Sequence, residues 1–480
     1  MRWLARAFRW ALGPRARRFR RALEAPGDAQ AAVRACVWAN VRRTEYGARY
    51  PRFEDLPVVD ADALRPWLER QRAEEGRVLV ADRVRFYERT SGSTGPAKYI
   101  PYTRGLLRSF TGMFGVWAHD LLENGPPFST GRMYFSVSPD LFPERATQKG
   151  VPVGTEDDRD YLSGWLGLAL RPFWVSPPGV ATERDPEAFR RRVCTHLVQE
   201  RRLEVISVWS PSFLKVLLDW METHRDELPN RTLIGDWAAL WPDLKLISCW
   251  ASGSSAWQAD QLGRRFPGVL IQGKGLLATE APVTVPLIGV GEVPVLDEVL
   301  VELEEPGGRL VPLEQAEVGG EYGVVLSQVA GLSRYRLGDT VRVTGRHAQT
   351  PVLTLEGRGE VSDLVGEKLS EGFVRGALET LRLDDAFYVA LIARRDHYVL
   401  LIDRSDWDRA TLAGMVDGAL SASYRYRQAR ALGQLGAPRV VIAPDIVSGQ
   451  HRGVVPGRWG GVKHRVLRTD STGVAAWLES

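Results

Sequence analysis

YERTSGSTGPAKYIPYT, Tyr87 to Thr103, is the stretch on which the fold turns. It is a polar hinge of Ser, Thr and Gly. Strand-like runs precede it (Val78 to Val80, then Val84 to Tyr87) and a helix-like run follows from Arg104. Gly92 and Gly95 can take positive φ and let the backbone approach a ligand closely. Ser91, Ser93 and Thr94 add hydroxyls to the backbone amides, so the loop can surround a polyphosphate with donors. Lys98 follows as a cation able to meet phosphate as a point charge. An ordinary strand-to-helix turn uses the same residue types. The stretch is not a Walker loop, because Pro96 and Ala97 separate Gly95 from Lys98.

Working outward, a chain of 480 residues is too long for one core, so two or more domains are expected. With 44% hydrophobic and 25% charged residues it reads as an ordinary globular protein. A formal net charge of +4 is small for this length and gives no general argument for nucleic acid. No apolar run approaches the roughly 20 residues of a membrane span. Cys36, Cys194 and Cys249 are scattered singly, with neither zinc-site spacing nor the number of a disulfide framework. A reducing, cytoplasmic setting is the expectation.

Residues 1–24 set Trp3, Leu4, Phe8, Leu12, Phe19 and Leu23 among many arginines, the pattern of a basic amphipathic helix broken near Gly13-Pro14. Such a helix can lie on a membrane surface, or pack on the domain with a solvated arginine face; the second is expected. Strand-like runs alternate with helical ones through residues 205–272, which argues for a wound α/β domain with ligands at the carboxyl ends of its strands. An insertion at 144–186, with Trp165, Phe173 and Trp174, could roof a pocket. From Val295 the runs become short and alternating with Gly/Pro turns, as in a small antiparallel subdomain. EGRGEVSDLVGEKLSEG, residues 356–372, is a polar connector, and beyond it the pattern suggests a compact α+β domain. The expected division is a large domain at 1–360 and a small C-terminal domain at 361–480.

Four further motifs bear on the first. Leu276-Leu277-Ala278-Thr279-Glu280 follows a strand, where Glu280 could hold Mg²⁺ or be a surface carboxylate. In Tyr335-Arg336-Leu337-Gly338-Asp339, Asp339 could accept from both hydroxyls of a ribose or close a turn. Arg358, in Gly357-Arg358-Gly359-Glu360, could pair with a phosphate or be a solvated linker charge. Lys463 sits among glycines near the C-terminus, where a lone lysine is usually solvated. The seven histidines are isolated, so no Ser-His-Asp or metal cluster competes.

Taken in order, TSGSTG…K, xxxTE, YRxGD, GR and a glycine-flanked terminal lysine resemble the adenylate-forming superfamily of acyl and aryl acid ligases. More narrowly, YERTSGSTGPAKYIPYT, AGLSRYRLGD, SDLVGEKLSE and RTEYGARY look like the Gretchen Hagen three family of acyl-acid amido synthetases in its short bacterial form. The resemblance covers essentially the whole chain. It implies a large domain of wound α/β sheets with a small β subdomain, and a smaller mobile α+β domain that rotates about the 356–372 connector. It implies ATP and Mg²⁺ as cofactors. Ser91, Gly92, Ser93, Thr94, Gly95 and Lys98 match the phosphate loop. Thr279 and Glu280 match the Thr/Ser-Glu pair, with Glu280 organising magnesium. Asp339 matches the ribose-binding carboxylate, Arg358 the hinge-proximal arginine, and Lys463 the lysine that serves adenylation. Ser252, Gly253 and Ser254 occupy the segment beside the adenine. One departure stands out: the family's adenine-stacking aromatic is replaced by Leu276-Leu277.

The implied reaction is ATP-dependent activation of a carboxylic acid as an acyl adenylate, then transfer of the acyl group to an amine, such as an amino acid, to form an amide. Coenzyme A or a carrier-protein thiol is the alternative acceptor. A reading of another class is a nucleotide-binding protein held to membrane by its basic N-terminus, without turnover. Trp165, Trp174, Trp209 and Trp250 would suit an aromatic or apolar acid, though tryptophan is also normal core.

Overall fold

The computed structural model describes residues 2–74, 76–90, 98–136, 150–154, 170–177, 179–180, 183, 185–357, 361–451, 463–470 and 473–478. The first helix, α1 (Arg2–Glu24), runs unbroken through Pro14, where a break was expected. Proline costs the helix one hydrogen bond, but docking on both sides of it holds the chain helical. Leu12, Ala16, Phe19 and Leu23 are buried, and the helix lies along α4 (Arg104–Asn124). Arg15 grips the Asp297 carboxylate with both terminal nitrogens. The apolar stripe of α1 is therefore core, while Trp10 stands 84% exposed beside Arg6 and Arg9.

Two more helices follow, α2 (Pro26–Val41) and α3 (Ala61–Ala73). Proline opens α2, where its missing N–H loses nothing. Asp60 caps α3 by accepting from the amides of Asp62 and Ala63. The chain then forms a hairpin of β1 (Val84–Thr90) and β2 (Lys98–Thr103), with Thr90 paired to Lys98. A strand thus stands between the Ser/Thr/Gly stretch and the helix at Arg104, where the sequence suggested a direct strand-to-helix hinge. Ile100 and Tyr102 alternate inward, and Thr103 ends the strand by capping α4 through the Leu106 amide. Gly105 lies so close to Ala330 that a side chain there would sit 2.4 Å from the alanine Cβ.

The ligand-bearing layer is a four-stranded parallel sheet, β3 (Met133–Phe135), β4 (Val205–Ser207), β5 (Leu246–Cys249) and β6 (Leu270–Gly273), in chain order. Helices Pro186–Gln199, Pro211–Thr223 and Ala256–Arg265 connect its strands. Every residue of β4 and β5 is buried, as parallel strands covered on both faces require.

After the hairpin of β7 (Thr284–Leu287) and β8 (Gly291–Pro294) comes an antiparallel sheet. Its strands β9 (Val299–Glu304), β10 (Leu310–Pro312), β11 (Glu321–Gln328), β12 (Tyr335–His347) and β13 (Thr350–Gly357) stand in the order β10-β9-β11-β12-β13. The connector beyond it, read as a polar linker, contains a small hairpin of β14 (Val361–Ser362) and β15 (Leu369–Ser370). Glu367 holds that hairpin by accepting from the amides of Leu364 and Val365, 2.9 and 2.8 Å, and from the Tyr398 hydroxyl.

The C-terminal unit places β16 (Val389–Ala393), β17 (Tyr398–Ile402), β18 (Arg439–Ile442) and β19 (Leu467–Arg468) in a sheet of order β18-β17-β16-β19. Its helical run is split: one helix ends at Leu420, and Ser423 caps a second at Tyr424–Ala431. Leu412, Val416 and Leu420 pack against Tyr398, Leu400 and Ile402 in a core of its own. Phe387, Tyr388, Ile446 and Val447 instead enter the core formed by Phe213, Trp220 and Met221, so this unit and the parallel-sheet layer share apolar packing.

Candidate active site

Three of the sequence motifs meet through side chains. Lys98 Nζ, at the start of β2, donates to Tyr335 Oη at 3.3 Å, and Tyr335 Oη donates to Glu280 Oε1 at 3.3 Å. Glu280 and Tyr335 are buried. Local structure fixes the glutamate. Ala278 and Ala281 exchange both backbone hydrogen bonds, 3.1 and 3.2 Å, so Thr279 and Glu280 form a two-residue tip. Tyr102 Oη donates to the Thr279 carbonyl at 2.7 Å, and the Gln328 side-chain amide to the Glu280 carbonyl. Gly275 approaches the tip's base at φ +73°, and a side chain there would strike Thr284 Oγ1 at 2.5 Å. That hydroxyl accepts from the Leu276 amide at 2.7 Å.

Asp339 is buried on β12 beyond Tyr335. Arg336 pairs with Val325 and Thr340 with Gly323, so Leu337, Gly338 and Asp339 stand opposite one residue of β11, with Gly338 at φ +85°. The bulge re-aims these side chains. Arg336 turns the other way into a two-point pair with Glu304, 2.7 and 2.6 Å, and is structural.

The carboxyl ends of β4, β5 and β6 carry the second group. Trp209 follows β4 and Trp250 follows β5; their ring centroids are 6.2 Å apart, and the Trp250 amide donates to the Trp209 carbonyl at 2.8 Å. Lys463 Nζ lies 5.6 Å from the centre of the Trp250 ring, which puts the terminal lysine at the mouth of the parallel sheet. Its neighbour His464 is buried edge-on against Tyr388, and burial pushes that imidazole down to about 3. After β5, Gly253 (φ +57°) lies beside the Leu355 and Glu356 carbonyls of β13, while Ser254 donates to Glu371. Leu276, where the aromatic was missing, is buried in the large core.

Ser91, Gly92, Ser93, Thr94, Gly95, Arg358 and Trp165 lie outside the described residues. Among the described residues no cluster of three or more His, Cys, Asp or Glu side chains could hold a metal. Magnesium needs none: it usually takes one or two carboxylates plus substrate phosphate oxygens and water, and Glu280 beside Lys98 fits that donor set. Sequence reasoning missed four residues that the geometry brings in. Tyr335, the first letter of YRLGD, was quoted without a role. Glu371, the last residue of SDLVGEKLSE, was likewise quoted without a role, and Lys274 and Glu292 belong to no quoted motif. A Cβ on Gly273 would sit 3.1 Å from Glu292 Oε1, and burial pushes that carboxyl up to about 7.

The fold and the meeting of these motifs can be set beside known proteins. The structure superposes on the AtGH3.15 acyl acid amido synthetase with a TM-score of 0.83 at 18% identity, over 98% of this chain and 96% of that one. A 2-hydroxyisobutyryl-CoA ligase shares the fold more loosely, with a TM-score of 0.57 at 16% identity, over 95% of this chain and 90% of that one. The GH3 family N-terminal domain matches residues 15–232 and the GH3 family central domain residues 297–358. The chain belongs to the GH3 family. Indole-3-acetic acid-amido synthetase GH3.10 of Arabidopsis thaliana is 24% identical over 72% of each chain. A protein of Oryza sativa subsp. japonica described as a probable indole-3-acetic acid-amido synthetase, GH3.9, is 34% identical over 137 residues, 24% of this chain. That match spans only 30% of the rice protein. No helix among the described residues is long and apolar enough to cross a membrane.

Proposed function

We propose that this GH3 protein is an ATP-dependent amide synthetase: it joins a carboxylic acid to the α-phosphorus of ATP and passes the acyl group to an amine, with an amino acid as the acceptor. The observation that carries the reading is the Lys98–Tyr335–Glu280 chain of hydrogen bonds, which draws the phosphate-loop lysine, the YRLGD turn and the Thr-Glu tip to one point. In the first half-reaction a carboxylate oxygen attacks the α-phosphorus and pyrophosphate leaves. Anion meets anion, so the chain must supply positive charge. Lys98 stands at the phosphate side and Lys463 at the carboxylate side. Glu280 would hold Mg²⁺, which when bound neutralises phosphate charge. Tyr335 fixes the Glu280 carboxylate, and Asp339 accepts from the ribose hydroxyls. In the second half-reaction the amine nitrogen attacks the acyl carbonyl, AMP leaves with the bonding electrons, and the nitrogen gives up a proton. Ser91 to Gly95 and Arg358 complete the phosphate contacts in this reading, residues 1–360 and 361–480 are its two domains, and a cytoplasmic location accompanies it.

The shared fold with a CoA ligase favours one competing acceptor, a thiol. Both are separated by one experiment: ATP–pyrophosphate exchange against a panel of carboxylic acids, followed by mass analysis of products formed with mixed amino acids or with coenzyme A. Amide formed faster than thioester supports the synthetase. Thioester formed faster moves the protein to the ligases, and no acid-stimulated exchange removes the adenylation reading altogether.

A further inference from the structure

Residues 1–24 hold eight arginines against one acid, Glu24, which is more positive charge than the net +4 of the whole chain. The rest of the chain is therefore net negative. Leu12, Ala16, Phe19 and Leu23 place the apolar stripe of α1 in the core. That stripe is not available to enter lipid, as the apolar face of a surface-lying amphipathic helix does. Arg15 and Arg18 pair with Asp297, and Arg20 with Glu123. Arg6, Arg9, Arg17 and Arg21 are exposed and make no ion pair among the described residues. At 3.6 residues per turn, Arg6, Trp10, Arg17 and Arg21 fall within about 60° of arc, on a stripe about 22 Å long. Trp10, at 84%, is the most exposed large apolar side chain among the described residues.

The charge and the indole together choose the occupant of this face. Like charge meeting like charge keeps a second copy from packing on it about a two-fold axis. Single-stranded nucleic acid binds in basic grooves that offer several rings for stacking, whereas this is the convex side of one helix with one indole. An anionic bilayer uses both features. It attracts each arginine held near its surface, and the headgroup level is where an amphipathic indole settles. The net negative remainder of the chain turns the basic face towards such a surface.

We infer that the outward face of α1 docks the protein on an anionic lipid surface, with Trp10 among the headgroups and Arg6, Arg17 and Arg21 against the lipid anions. The dock is peripheral and reversible. It stands apart from the proposed reaction, since none of these residues belongs to the Lys98–Tyr335–Glu280 chain of hydrogen bonds.

The test is co-sedimentation of the full-length protein with vesicles of phosphatidylcholine alone and of phosphatidylcholine mixed with phosphatidylserine. Binding is expected to the anionic vesicles only, and it should fade as salt screens the arginines. Replacing Arg6, Arg17 and Arg21 together by glutamine should weaken it about a hundredfold, at roughly fivefold for each arginine. Replacing the same three by lysine should keep most of it, because the charge remains. Trp10→Ala should weaken it about tenfold, a loss that a contact made by charge alone would not show. All four side chains are exposed, so these variants should keep the wild-type unfolding midpoint. Three results overturn the inference: no binding to anionic vesicles, binding that both the glutamine variant and Trp10→Ala leave unchanged, or tighter binding to DNA or polyglutamate than to the vesicles.

Discussion

Ser254, just past the carboxyl end of β5, donates its hydroxyl to the carboxylate of Glu371, the first residue of helix Glu371–Glu379. The same carboxylate oxygen accepts the Val466 amide at 3.2 Å, three residues beyond Lys463. One buried carboxylate thus ties the segment after β5 to the stretch that leads from Lys463 into β19. Each such charged hydrogen bond is worth about 1.5–3 kcal/mol. Glu371→Ala should lower the denaturation midpoint and slow pyrophosphate exchange together. A double-mutant cycle with Ser254→Ala should show coupling of about 1 kcal/mol or more; strictly additive losses would mean that the two residues act apart.

Lys463 Nζ lies over the Trp250 ring, just past the carboxyl end of β5. Lys463→Ala should cut adenylate formation by roughly 10²–10³, the scale of one preorganised charge in a transition state, without moving the unfolding midpoint. Exchange at the wild-type rate in this variant would remove the lysine from the chemistry.

Tyr335→Phe keeps the buried ring and deletes the hydroxyl that links Lys98 to Glu280. Exchange should fall by about tenfold, the equivalent of one hydrogen bond of near 1.4 kcal/mol. An unchanged rate would show that Glu280 needs no such support.

Asp339→Ala should weaken ATP binding by about 2–3 kcal/mol, the scale of hydrogen bonds to a charged acceptor. Calorimetric titration with ATP decides it: equal affinity in the variant would leave Asp339 with a role in the β12 bulge alone.

His464 gives a pH dependence whose sign is fixed. Burial holds its folded-state pKa near 3, far below the usual value of 6.5. Between those values the unfolded chain binds a proton that the native protein does not, so stability falls as the pH drops through 6.5 towards 3. The slope from this residue reaches about 1.4 kcal/mol per pH unit. Denaturation midpoints measured from pH 7 to pH 5 should fall in the wild type and fall less in His464→Phe. Parallel curves would show that other groups set the acid sensitivity.

Much of the architecture was legible because burial writes itself into pattern. The apolar runs at Val205 and Leu246 read as strands and are buried throughout, and the short runs from Val299 read as an antiparallel sheet, which they form. Asp60, Thr103, Asp185 and Ser210 cap the helices that follow them, a signal the sequence carries and the reading did not use. What was hidden depends on contacts far apart in sequence. Pro14 looked like a helix end because nothing local shows that Leu12 and Ala16 are held by α4. KYIPYT carries a proline that obscured a strand at a hairpin edge. Within the site, Glu280 and Asp339 belong to motifs, but Tyr335 acquires its role only through partners at positions 98 and 280. Lys274 and Glu371 are ordinary charged residues until the sheet and the C-terminal unit are folded around them.

Phe387, Tyr388, Ile446 and Val447 are buried among Phe213, Trp220 and Met221 rather than resting on a wet boundary. Any swing of the C-terminal unit between half-reactions must therefore bring apolar surface into contact with water, at about 25 cal/mol for each Å² exposed. Exposure of that kind carries a positive heat-capacity change. If domain reorientation limits turnover, the Eyring plot of the amidation rate will be curved, and its curvature will report how much of this seam opens in each catalytic cycle.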